Sequence, residues 1–115
     1  MAKYEREIRG DFQDLLDWLH NDITERSPTA TYEDGSDHRI GETRLAVRVY
    51  ERYSMAGSNR VSLNITLMGR GEQLFLSAIT SGGSQAVFFK VNIVGEEAFL
   101  DLCRTSVEKY IAAKQ

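Results

Sequence analysis

The sequence predicts an α+β domain in two layers, an antiparallel sheet of about six strands with two helices on one face. Three observations carry this expectation. Residues 12–26 place Phe12, Leu15, Leu16, Leu19 and Ile23 on one helical stripe. Residues 96–115 do the same with Phe99, Leu100, Cys103, Val107, Tyr110 and Ile111. Between them, short runs of alternating apolar and polar residues are punctuated by glycine, the pattern of half-buried strands. The expected order is β-α-β-β-β-β-β-α, in one domain spanning residues 1–115. That length can bury a core without metals or disulfides.

Residues 2–9 set Tyr4, Arg6 and Ile8 against Lys3, Glu5, Glu7 and Arg9, a short charged strand suited to a sheet edge. Gly10 breaks it. Asp11 is a good N-cap, and Asp14 in the first turn meets the positive end of the helix dipole. Pro28 forces Ser27 out of helical geometry and ends the helix near Arg26. A strand is expected near residues 29–33, a turn at Asp34-Gly35-Ser36, and a second strand from about His38 to Tyr53 with a bulge at Gly41. In that strand Leu45, Val47 and Val49 are assigned to the core, and Arg44, Arg48 and Arg52, with Ala46 and Tyr50 among them, to the other face. Residues 60–68 alternate Val61, Leu63, Ile65 and Leu67 with Ser62, Asn64 and Thr66.

Turn chemistry sets the expected registers. A loop Met55-Ala56-Gly57 pairs Val49 with Leu63, and a loop Arg70-Gly71 pairs Leu67 with Leu74 and Leu63 with Ala78. A loop Gly82-Gly83 pairs Ala78 with Val87 and Leu76 with Phe89. All three keep one apolar face, and a one-residue slip in any of them turns that strand's apolar set to water. Gly82-Gly83 is read as a hairpin turn and not a phosphate loop, because a strand pattern follows it where a helix N-terminus is needed. Gly95 then closes the last strand and Glu96-Glu97 open the final helix.

Fourteen basic residues against 17 acidic ones leave a net charge of -3, which opposes nucleic-acid binding. No apolar run approaches a membrane span, and MAKYEREIRG lacks the apolar centre of a signal peptide. With a single cysteine, Cys103, no internal disulfide forms, so a reducing cytoplasmic setting is expected. GxxxxGK, GxGxxG, GxSxG, HxxxH and CxxC are all missing, so neither cofactor nor metal is expected and the reading leans away from an enzyme.

Each candidate site has a plain structural reading beside it. Cys103, mid-helix on the apolar stripe, is read as core. Asp34, Asp37 and His38 in EDGSDH are read as a solvated turn, not a metal site. Arg44, Arg48, Tyr50 and Arg52 form either a solvated outer face or a row that binds a carboxylate or phosphate. Phe75, Ile79 and Phe88 give the last hairpin a second apolar face, where a free antiparallel sheet should be polar.

The element order resembles the helix-grip arrangement of START and Bet v 1-like proteins, a curved sheet around a long C-terminal helix. The resemblance implies an apolar ligand site. The chain departs from it by having one helix after the first strand where that group usually has two, and it carries none of the group's motifs. SGGSQAVFFKVNIVGEEAFL also resembles small bacterial proteins of an uncharacterised family, over nearly the whole chain, which implies no activity. Two functions are therefore expected. The first is a non-enzymatic binding or assembly module, a homo-oligomer or a dock for a protein partner through the second sheet face. The alternative is an apolar or acidic small ligand held between sheet and C-terminal helix, with Tyr4 and Tyr110 at the mouth. An enzyme using His38 with Asp34 or Asp37 ranks last.

Overall fold

A computed structural model describes residues 1–53, 59–82 and 89–114; over 89–94 it describes the helix backbone only. The elements are β1 (Ala2–Arg9), α1 (Phe12–Arg26), β2 (Thr31–Ile40), β3 (Thr43–Tyr53), β4 (Arg60–Arg70), β5 (Gln73–Gly82) and α2 (Phe89–Lys114). The strands form one antiparallel sheet in the order β1-β5-β4-β3-β2. Both helices lie on the same face of it, with α2 against β1, β4 and β5 and α1 against β4 and α2. The class is therefore α+β, as the sequence predicts, with five strands instead of about six.

The missing strand has a physical reason. The edge of β5 is taken by β1, which pairs Ile8 with Leu74 and Ala2 with Thr80. Residues 89–94, expected as a strand on β5, continue the C-terminal helix instead, and Gly95 sits buried inside it. The β-rich composition of FKVNIV is thus overridden by its place in the fold. Gly83, Val87 and Phe88 lie outside the described residues, as does the loop Met55-Ala56-Gly57.

The turns also moved, and glycine conformation explains why. A two-residue hairpin loop needs positive φ at its first central residue. Gly71 supplies it, with φ 59°, so the loop is Gly71-Glu72 and Leu67 pairs with Leu76, two residues along from the expected register. The shift is even, so the apolar face survives. Gly41 does the same, also with φ 59°, so Gly41-Glu42 is a turn between β2 and β3 and not a bulge. The bulge lies at Tyr32/Asp34, next to the expected turn. A Cβ on Gly35 would come within 2.3 Å of Tyr32 Oη and 2.8 Å of the Val47 carbonyl oxygen, so the strand there admits only glycine.

Local signals on α1 hold as read. The Asp11 carboxylate accepts from the Asp14 N–H at 2.8 Å, and Phe12, Leu15, Leu16, Leu19 and Ile23 are buried. The inner sheet face contributes Leu63, Ile65, Leu67, Leu76 and Ala78, and α2 contributes Phe99, Leu100, Cys103 and Val107. Trp18 joins the helices by donating to the Ser106 carbonyl at 3.0 Å and meeting the Tyr110 ring edge-on. The Tyr110 hydroxyl in turn donates to Asp14 at 3.2 Å.

Truncating Leu63→Ala at the centre of this layer is expected to cost about 2–5 kcal/mol in urea denaturation, because the packed neighbours cannot close the cavity. Asp11→Ala, which removes only the cap, should cost about 1 kcal/mol.

Candidate functional site

The arginine row lies on the helix side of β3. Thr43 pairs with Arg70 and Tyr50 with Leu63, one residue off the expected register, so Arg44, Ala46, Arg48, Tyr50 and Arg52 point inward. Leu45, Val47 and Val49, assigned to the core from their hydropathy, point away from the helices. The reason is that long side chains can roof an apolar layer with their stems and aromatic contacts while their heads find polar partners. The Arg44 guanidinium sits 4.2 Å from the Phe12 ring centre and donates to Gln13 at 3.1 Å. Arg52 sits 4.4 Å from the Phe99 ring centre and donates to the Ser27 hydroxyl at 3.1 Å. Arg48 bonds both oxygens of Asp37 and the Val47 carbonyl. Each guanidinium is engaged within the chain, so the row works as a polar margin for the core.

Tyr50, placed with those arginines, is fully buried, with its hydroxyl 2.8 Å from His20 Nδ1. Tyr32 packs edge-on against both rings. Burial pushes the Tyr50 phenol up to about 12. Beside this cluster runs a groove of about 360 Å³ between α1 and β3, lined by Gln13, Asp17, His20 and Arg48.

The outer sheet face carries the other predicted residues, Phe75 and Ile79. The registers lay it out as a grid, since side chains two apart share a face. One row runs Glu7, Phe75, Met68, Leu45, His38 from β1 to β2. The next runs Glu5, Ser77, Thr66, Val47, Ser36, and the third Lys3, Ile79, Asn64, Val49, Asp34. Six of the nine central positions are apolar and none is charged; every formal charge of these rows lies on the two edge strands. Met68, Leu45 and Ile79 are 45%, 37% and 37% exposed. No described element packs on this face. Sequence reasoning therefore found Phe75 and Ile79 but missed Leu45, Val47, Val49 and Met68. A signal existed: Ile40-Gly41-Glu42-Thr43 and Arg70-Gly71-Glu72-Gln73 are matching turns, and setting them at the same end of the sheet gives the observed register.

The remaining candidates resolve simply. Cys103 is wholly buried, and desolvation pushes its thiol up to about 12, out of reach of nucleophilic use. In EDGSDH, Asp34 and His38 face outward while Asp37 faces inward to Arg48, because alternate strand residues take opposite faces. Among the described residues no group of three His, Cys, Asp or Glu side chains is placed to hold a metal ion. Tyr4 is hydrogen-bonded to Glu108, which also takes Arg6 at 3.1 Å; these two donors hold the Glu108 carboxyl below its usual range. A hollow of about 620 Å³ lies at the turn end of β1, β4 and β5, with Arg9, Arg70, Met68 and Phe75 in its lining. No described helix is long and apolar enough to cross a membrane.

The chain belongs to a family of unknown function, DUF6054, whose family model matches residues 1–111. No curated protein and no solved structure matches it.

The buried phenol predicts a stability loss in alkali. A tyrosine whose folded-state value is raised stabilises the fold below its unfolded value of 10.0, and that contribution disappears as pH climbs toward about 12. Urea midpoints measured across this window should fall in wild type, and Tyr50→Phe should remove the equivalent of about 2–3 kcal/mol of that fall, the remainder coming from Cys103 and the other raised tyrosines.

Proposed function

We propose that the protein is a non-enzymatic assembly module of the cytoplasm that docks another protein surface on its outer sheet face. The observation that carries this reading is the charge-free centre of that face, three strands wide, bordered by charged edge strands. An apolar core within a polar rim is the anatomy of a protein interface, and a sheet open to water is otherwise polar there. Five strands spaced about 4.8 Å apart and about ten residues long present on the order of 800 Å², one partner's share of a standard interface. The arginine row, spent on the core margin, plays no part in docking, and Phe88 lies outside the described residues.

Hydroxyl-radical footprinting tests this. Met68, Leu45 and Val47 should be oxidised several-fold less in intact cells than in dilute purified protein. Equal labelling in both would remove the docking reading.

A second reading, a small acidic amphiphile, draws support from the 620 Å³ hollow, where Arg9 and Arg70, held in exposed ion pairs with Glu72 and Glu42 that an acidic head group would have to displace, accompany Met68 and Phe75. It predicts a thermal shift of the purified protein with medium-chain fatty acids that Arg70→Glu abolishes; no shift across chain lengths would dismiss it.

A further inference from the structure

We propose that the groove between α1 and β3 binds a small uncharged polyol, a sugar ring that presents neighbouring hydroxyls. The groove lies on the helix side of the sheet, so it is independent of the docking face. Its chemistry follows from where one proton must sit. Tyr50 is 1% exposed, and its hydroxyl has one hydrogen-bond partner among the described residues, Nδ1 of His20 at 2.8 Å. Burial keeps the phenol protonated at ordinary pH. Were Nδ1 to carry hydrogen, the phenolic hydrogen would be buried without an acceptor, an arrangement folded proteins avoid. The hydroxyl therefore donates to Nδ1, and the imidazole hydrogen is left on Nε2. The Tyr32 ring, edge-on to His20 with centres 5.7 Å apart, holds the imidazole from a second side. A buried phenol and an aromatic neighbour thus fix an N–H donor on the exposed face of α1.

The groove encloses about 360 Å³, the small end of the range for ligand sites. Its unused hydrogen-bonding capacity selects the ligand. Asp17, His20 and Asn21 stand at i, i+3 and i+4, on one face of the helix. Gln13 is already committed. Its carbonyl accepts from Arg44 at 3.1 Å, which turns its amide nitrogen to Asp17 Oδ1 at 2.9 Å. Asp17 Oδ2 has no partner among the described residues, and neither has the Asn21 side-chain amide. Across the groove Arg48 is held by both Asp37 oxygens and the Val47 carbonyl, so its charge is balanced. What is left is an acceptor on Asp17, a donor on His20 and both on Asn21. An anion would meet the unbalanced Asp17 carboxylate. A cation would leave the His20 N–H without an acceptor, beside Arg48. Hydroxyls on adjacent carbons both give and take hydrogen bonds, so one donates to Asp17 while its neighbour accepts from His20. Leu16 supplies an apolar wall for the ring carbons.

Nuclear magnetic resonance titration of the purified, isotope-labelled full chain with methyl β-D-glucopyranoside tests this. The amide signals of Asp17, His20 and Asn21 should shift and saturate, with Kd on the order of 1–10 mM, as suits a shallow polar site. Long-range imidazole spectra of the free protein should show His20 with hydrogen on Nε2. Asp17→Asn, an exposed change that removes the charged acceptor, should weaken glucoside binding about ten-fold and leave the His20 tautomer as it is. Tyr50→Phe releases Nδ1, so the second tautomer should appear in the imidazole spectrum and binding should weaken about two-fold. Circular dichroism confirms that each variant is folded. No saturable shift with the glucoside or with ribose overturns the proposal. So does hydrogen on Nδ1 of His20 in wild type, or unchanged affinity in Asp17→Asn. A stronger response at these residues to acetate or to ethylammonium than to either sugar overturns it in favour of a charged ligand.

Discussion

One-sided coverage is the constraint on which this structure depends. Two helices press on one face of a five-stranded sheet, and the other face has no cover among the described elements. Burying the inner face supplies most of the stabilising apolar area, because Leu63, Leu67, Leu76 and Ala78 meet α1 and α2 there and lose all contact with water. The outer face is what that arrangement leaves over. Its composition is then free to serve a partner instead of the fold, and that freedom is why its apolar content carries functional meaning.

The same constraint explains the arginines. The helix layer is narrower than the sheet, so β3 passes from beneath α1 toward open solvent, and β2 has no buried residue. A side chain at that margin must be apolar near the backbone and polar at its tip. Arg44 and Arg52 meet the requirement by covering Phe12 and Phe99 while bonding Gln13 and Ser27. Had these positions been leucine, the margin would expose oil; had they been aspartate, Phe12 and Phe99 would lose their cover. What reads in sequence as either a solvated outer face or an anion-binding row lies in space along the margin of the core.

The two faces also divide the titratable groups by role. Tyr50, Tyr110 and Cys103, on the inner side, are pushed upward by burial and stay neutral across ordinary pH. Their contribution is packing, and for the tyrosines a hydrogen bond at the rim of the layer. The charged residues of the outer face ring its apolar centre, on the two edge strands and toward the ends of β3 and β4, where Glu51 pairs with Arg60 and Arg70 with Glu42.

The sequence by itself determined the class, both helices at their core positions, the inner faces of β1, β4 and β5, and two residues of the outer face, Phe75 and Ile79. These were legible because each rests on a local rule: the Asp11 cap, helical spacing from Phe12 to Ile23, and strict alternation from Val61 to Leu67. Tertiary structure alone decided the rest. Which face of β3 is buried depends on where the helix layer stops, and an arginine stem covers an aromatic ring about as well as a valine fills a core, so hydropathy misassigned the strand. Residues 89–94 became helix because β1, some eighty residues earlier in the chain, already occupied the edge of β5. Pairing across that distance leaves no local signature, since a strand's open edge can be satisfied by any extended segment that reaches it.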